Sequence, residues 1–201
     1  MDLQIKLFNF KGIPVYLKLW FFLLLFWLPP VFVVSIFISI LLHEMGHAYM
    51  AKKYGYTVDN IQIGLFAGQA NMDINSITER DMIRIVGAGP WVNMVLISLS
   101  IFSNVAFPCQ FFNSMYIVNL FLFIFNIIPI FPLDGGRILR SILILKMKDR
   151  AKSIKISAWI SLICSCLLLV YYLMSFSLIG IIFSILFIAY SMKELGWLKF
   201  D

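Results

Sequence analysis

Apolar residues run almost unbroken along most of the chain, and the breaks fall at prolines, glycines and short polar stretches. The first run, Val15 to Leu28, stops at Pro29-Pro30. At about 14 residues it is short for a bilayer crossing, which takes about 20, so residues nearer the N-terminus are expected to extend it. Lys18 lies close enough to its end to snorkel. Val31 to Ala51 is long enough alone, and a polar stretch from Lys52 to Arg84 follows. The next runs are Ile83 to Phe107, interrupted early by Gly87-Ala88-Gly89-Pro90, and Ser114 to Pro132, broken at its end by Pro129 and Pro132. Beyond a basic stretch from Arg137 to Lys155, Ile156 to Met174 and Phe176 to Met192 are separated by a tight turn near Ser175 to Ser177. This pattern predicts an all-α polytopic membrane protein of six transmembrane helices, a single domain over residues 1–201. Its core is expected at about 31–145, with accessory spans at about 13–28 and 156–192.

One connection reads differently. Between Tyr56 and Asp73, Thr57-Val58 and Ile61-Gln62-Ile63-Gly64-Leu65 partly alternate, and Gly64 and Gly68 break the pattern. A small β-hairpin or a re-entrant segment fits this stretch as well as a plain loop does.

Composition supports the membrane reading. Of 201 residues, 62% are hydrophobic and 13% charged, with a mean hydropathy of +0.94. An ordinary soluble domain is about 45–50% apolar and about 25% charged. There is too little polar surface to coat a soluble globule, which also excludes disorder, and three Cys are too few for a disulfide-stapled fold. A cleavable signal peptide is not expected, because the first run ends in Pro-Pro and another span follows directly.

The net charge of +6 and pI near 9.3 would suit nucleic acid, but the placement of the charge gives a simpler account. With six spans, Lys6, Lys11, Lys52, Lys53, Arg80, Arg84, the seven Lys and Arg from Arg137 to Lys155, Lys193 and Lys199 all fall on one side. Only Lys18 departs, and five or seven spans would destroy the separation. The positive-inside rule makes that side cytoplasmic and puts both termini there. The lipid bilayer explains the charge, and no nucleic-acid partner is expected.

The chain has two histidines, in His43-Glu44-Met45-Gly46-His47. On a helix, residues four apart share a face, so both imidazoles can reach one metal ion. Glu44 projects beside that ion, where it can take a proton from a bound water; this is the logic of the helical zinc proteases. Such a constellation arises by accident at about 10⁻⁴ per chain of this composition, and ionisable residues inside a span default to a functional reading.

Two His leave a zinc site incomplete, since catalytic zinc usually has three protein ligands and one open position. Glu44 and Asp134 are the acidic residues within the apolar runs and their ends. Asp134 follows Pro129 and Pro132, which break the helix, and precedes Gly135-Gly136, which let the backbone bend. Both the His-bearing span and the one before Asp134 enter from outside, so all three candidate ligands fall near the cytoplasmic face. Cys109 lies on the outer side, and Cys164 and Cys166 point to different helix faces, so they read as core residues. Zn²⁺ is preferred, although two His and a carboxylate would also suit non-haem iron. A hairpin at 57–73, including Gly68, would hold an extended substrate segment by strand addition.

These motifs resemble the site-2 protease family of intramembrane zinc metalloproteases, peptidase family M50. His43-Glu44-Met45-Gly46-His47 and Leu133-Asp134-Gly135 carry the likeness. Gly89-Pro90-Trp91-Val92-Asn93 resembles the family's Gly-Pro-x-x-Asn motif, the stretch from Asn126 to Gly136 its Asn-Pro-Asp-Gly segment, and Phe66-Ala67-Gly68 its strand-forming loop. Within the family the layout looks most like the sporulation branch, stage IV sporulation protein FB, though without that branch's C-terminal nucleotide-binding CBS domain. The resemblance implies zinc on His43, His47 and Asp134, Glu44 as general base, and Asn126 against the substrate backbone. It implies a bacterial multi-pass cell-membrane metalloendopeptidase that cuts a membrane-associated protein near the cytoplasmic face, such as a sigma-factor precursor or an anti-sigma factor. A regulatory membrane protein partner is expected too. The alternatives are a membrane zincin with Glu194 as third ligand, a non-catalytic zinc-binding membrane protein, and a metal transporter.

Overall fold

The computed structural model describes residues 3–64, 68–73 and 76–198, and the chain divides into two compact units, residues 1–124 and 125–201. The first holds β1 (Gln4–Phe10), β2 (Ile13–Lys18), a 3-10 helix (Leu19–Phe26), α1 (Pro30–Lys53), β3 (Val58–Ile63), β4 (Gly68–Met72), α2 (Glu79–Ala106) and most of α3 (Gln110–Ile127). The second holds α4 (Asp134–Met147), α5 (Arg150–Met174) and α6 (Leu178–Glu194).

The run Val15 to Leu28, expected as a transmembrane helix, is instead strand up to Lys18 and 3-10 helix from Leu19 to Phe26. The reason lies in its period. Ile13, Val15 and Leu17 are buried while Pro14, Tyr16 and Lys18 are only partly covered, the alternation of a strand rather than of a helix. Lys11 and Gly12 both take positive φ, as a type I′ hairpin turn requires, and fold β2 back on β1. Pro29 is extended, and Pro30 opens α1 at a position where no backbone donor is needed.

The four strands form one sheet in the order β1-β2-β3-β4. The expected hairpin is present as the antiparallel pair β3/β4; β2 joins it by pairing parallel to β3. Phe66 and Ala67 of the strand-forming motif lie outside the described residues. Ile13, Val15, Leu17, Ile61 and Ile63 pack with Val33, Ile40 and Ala48 of α1 into one core. Full burial of each large aliphatic side chain is worth about 1.5–3 kcal/mol.

Helix α2 continues through Gly87-Ala88-Gly89-Pro90 without a break. Thr78 caps it by accepting the Asp81 N–H. The basic stretch after Asp134 is not a loop: it forms the amphipathic α4, closed by Lys148 in the left-handed region, and the first turns of α5. Four helices, α1, α2, α3 and α5, are long and apolar enough to cross a membrane. Trp91, Phe102, Val105, Phe121, Leu167 and Tyr171 leave their outer surfaces apolar and exposed, as lipid contact requires.

The contact between α1 and α2 is made by small residues. A Cβ at Gly46 would lie 2.9 Å from Val92 Cγ2 and 3.0 Å from the Ala88 carbonyl oxygen. Without a hydrophobic drive between spans, such close approach is what holds helices together in lipid. Gly46→Val is therefore expected to cost about 1–3 kcal/mol by overpacking, read as a lowered Tm of the detergent-solubilised protein; an unchanged Tm would show that the pair is not packed this tightly.

Candidate metal centre

Helix α1 carries His43, Glu44 and His47, all buried. The two imidazoles meet edge to face, with ring planes at 87° and centroids 4.7 Å apart. Their Nε2 atoms are 3.1 Å apart. Two zinc–nitrogen bonds at a tetrahedral angle would set their nitrogens about 3.3 Å apart, so the pair is spaced for one ion.

Each ring is held through its other nitrogen. His47 Nδ1 lies 2.8 Å from the Ile85 carbonyl oxygen, which can only accept. His47 therefore donates from Nδ1, which leaves Nε2 as the nitrogen that can face a metal. His43 Nδ1 lies 2.5 Å from Asn93 Oδ1. Gly89 leaves the room these rings need: a Cβ there would stand 2.4 Å from His47 Nε2 and 2.6 Å from His43 Nε2. The hollow over Gly89 is thus lined by the two nitrogens that the histidine spacing predicts as ligands.

His43, His47 and Asp134 are all buried. Two neutral imidazoles and a carboxylate form the donor set of a catalytic zinc site, and the residues present fit that ion. Asp134 is the first residue of α4, where the unpaired amides of the opening turn favour a negative charge. The glycines after it are required by packing: a Cβ at Gly135 would be 2.2 Å from the Ile127 carbonyl oxygen, and one at Gly136 2.5 Å from the backbone of Ile130 and Phe131.

The segment before Asp134 is tied down within its own unit. Phe131 N–H donates to Ser161 Oγ at 3.0 Å, Ser161 Oγ lies 2.7 Å from Ser191 Oγ, and the Arg140 guanidinium stacks 4.2 Å over the Phe131 ring. Arg140 also pairs with Glu194 at 3.0 Å. Burial pulls the Arg140 guanidinium below its ordinary range, and the Glu194 carboxylate acts against that shift. Glu194, the alternative third ligand, is thus engaged with Arg140. Cys109 and Cys166 are exposed and Cys164 is half-buried, so Cys166 is not the core residue expected from the sequence.

Of the expected substrate residues, Gly68 opens β4 directly beside Glu44: a Cβ there would stand 2.4 Å from Glu44 Cγ and 2.7 Å from Glu44 Oε1. Asn126 sits in the last turn of α3. In the sequence Asn93 stands out only through the Gly-Pro-x-x-Asn likeness, and no motif marks Asn119, whose Oδ1 accepts from Asn93 Nδ2 at 2.9 Å. The available signal was an amide side chain inside an apolar run, which must find a partner there.

Residues 31–109 and 103–171 match the model of peptidase family M50. The chain is similar to the zinc metalloprotease MJ0392 of Methanocaldococcus jannaschii, 37% identical over 92% of this chain and 58% of that protein. It is also similar to the putative zinc metalloprotease sll0528 of Synechocystis, 37% identical over 53% of this chain and 30% of that one. The chain thus spans little more than half of the first relative and under a third of the second. The solved structure of a site-2 protease from Methanocaldococcus jannaschii superposes with a TM-score of 0.72 at 32% identity, covering 98% of both chains.

Gly89→Ala should push both imidazoles out of register and lower bound zinc at least tenfold at equal protein concentration. Metal analysis of the purified protein checks this; full zinc occupancy in that variant would show that the hollow over Gly89 is not the binding position.

Proposed function

The chain belongs to peptidase family M50, the site-2 protease family of zinc metalloproteases, and on that premise we propose that it hydrolyses a peptide bond of a membrane-associated protein near the cytoplasmic face of the bilayer. The observation that carries this reading is the pair of Nε2 atoms 3.1 Å apart in the His43-Glu44-Met45-Gly46-His47 stretch. His43, His47 and Asp134 are the residues that would hold the metal. Bound there, zinc would polarise the scissile carbonyl and bring the pKa of a water toward about 7. Glu44 is placed to take a proton from the attacking water and return it to the leaving amine. Both histidines are committed to the metal, so neither is left to activate a Ser or Cys, and no covalent acyl intermediate is needed.

A helical substrate hides its carbonyls in its own hydrogen bonds and must unwind before it is cut. Strand β4 is an edge of the sheet, and its first residue, Gly68, lies against Glu44. A substrate segment added along that edge passes the general base in extended form, with its backbone paired by strand addition. Asn126 is the second proposed contact to substrate backbone. The substrate class is a membrane-associated regulator; a sigma-factor precursor, as the likeness to the sporulation branch suggests, or an anti-sigma factor fits it.

The proposal includes the finer topology: one membrane domain with six crossings and both termini cytoplasmic. The 3-10 segment supports it by running beside α1, with Phe21 packed 5.9 Å from Phe37. In this reading the first crossing is part strand and part 3-10 helix, and the 17-residue α6 is the last.

Two experiments test the reading. Glu44→Gln should lower cleavage of a reconstituted membrane substrate by about 10²–10⁴-fold with zinc content unchanged, whereas Asp134→Asn should lose zinc as well; normal cleavage by Glu44→Gln would end the protease assignment. Alkaline phosphatase fused after residue 108 should be active in cells, and fused after residue 201 inactive. The reverse pattern would overturn the orientation.

A further inference from the structure

A chain of buried amides leads away from His43. Asn119 Nδ2 lies 2.8 Å from the Met115 carbonyl oxygen and 2.8 Å from Ser39 Oγ. A backbone carbonyl can only accept, so this end of Asn119 must be its NH₂ group. Its Oδ1 therefore faces Asn93 Nδ2, at 2.9 Å. That leaves Asn93 Oδ1 toward His43 Nδ1. An amide oxygen accepts, so His43 must carry a proton on Nδ1. Turning either amide over would set like atoms against each other: oxygen against the Met115 carbonyl in one case, oxygen against Asn119 Oδ1 in the other. Asn93, Asn119 and Ser39 are all fully buried, so no water stands ready to repair a turned amide.

We propose that Asn93 and Asn119 form a directional relay that fixes the tautomer of His43, so that an acceptor-only carbonyl on α3 determines which nitrogen of an α1 histidine faces the metal. Both are positioning residues, and neither touches substrate or metal. The inference deepens the proposed function; its zinc-affinity arm rests on that metal reading, whereas the tautomer itself is observable without metal.

The test uses the full chain in detergent, stripped of metal and labelled with ¹⁵N-histidine; with two histidines in the sequence, each imidazole is resolved by comparison with His47→Gln. Wild type should show His43 protonated on Nδ1 and bare on Nε2. Asn93→Leu should mix the tautomers and weaken zinc binding by about 10–100-fold. Asn119→Leu frees the Asn93 amide to turn, and should mix the tautomers and weaken zinc about tenfold. Asn93→Asp offers His43 an acceptor whichever way it turns, so it should keep the Nδ1–H form even though its second oxygen then meets Asn119 Oδ1. Asn119→Leu added to Asn93→Asp should then cost nothing further. An equal loss from Asn119→Leu in both backgrounds would mark a merely structural residue and overturn the relay, as would an Nε2–H tautomer in the wild type. A wild type that shows the Nδ1–H form yet binds no zinc would sink the metal reading and leave the relay standing.

Discussion

Two imidazole nitrogens 3.1 Å apart in an apolar interior set the terms for everything around them. Neither ring can rely on bulk water, and a buried polar atom without a partner costs about 1–3 kcal/mol. Each ring is therefore satisfied on its far side by something that only accepts, which turns both Nε2 atoms toward each other. His47 uses the Ile85 carbonyl and His43 uses the Asn93 amide oxygen, both on α2. That in turn requires α1 and α2 to approach closely along the whole His-bearing stretch. Gly46 on one helix and Gly89 on the other mark where side chains had to be removed to allow it. The motif on α1 and the glycines on both helices are thus one requirement expressed in two places.

Much of this was legible in the sequence, because helical period and ligand spacing are local properties. The apolar runs correspond to α1, α2, α3, α5 and α6, and the partial alternation at 58–63 is strand β3. The first run misled because composition was read without its period. Ile13, Val15 and Leu17 alternate cleanly, but the unbroken Leu19 to Phe26 that follows swamps the signal. Helix α4 was hidden for the opposite reason. Its charged residues read as a loop, whereas Arg137 and Arg140 take only part of a helix whose Gly136 and Ser141 are buried. The candidate ligands were legible, but the partners of the two rings were not. Asn119 stands 76 residues from His43 and acquires its meaning only when α3 is in place.

Serine and asparagine differ instructively as signals. Ser35, Ser114, Ser165, Ser184 and Ser191 are buried in apolar helices, and each donates to the carbonyl four residues earlier. A hydroxyl can be satisfied by its own turn, so its presence in a span says little about neighbours. A primary amide has two donors and an acceptor, and one turn cannot serve them all. Asn119 uses its own turn once, through Met115, and must cross to Ser39 and Asn93 for the rest. In an apolar sequence an asparagine is therefore a better pointer to a cross-helix network than a serine is.

Asp134 is positioned by a different kind of mechanics. The histidines ride on the middle of a long helix, where side-chain spacing alone decides what they share. The aspartate opens a short helix, and the backbone before it decides where that helix begins. Carbonyls of Ile127 and Ile128 crowd Gly135, the backbone of Ile130 and Phe131 crowds Gly136, and Phe131 is held by Ser161 and by Arg140. None of these constraints involves the carboxylate, so its chemistry and its placement are separable. Exchanging the carboxylate for an amide alters the donor and leaves the clamp intact. Adding a methyl group at either glycine moves the donor and leaves its chemistry intact. The two histidines allow no such separation, because the hydrogen bonds that place each ring are the same ones that decide which nitrogen can face a metal.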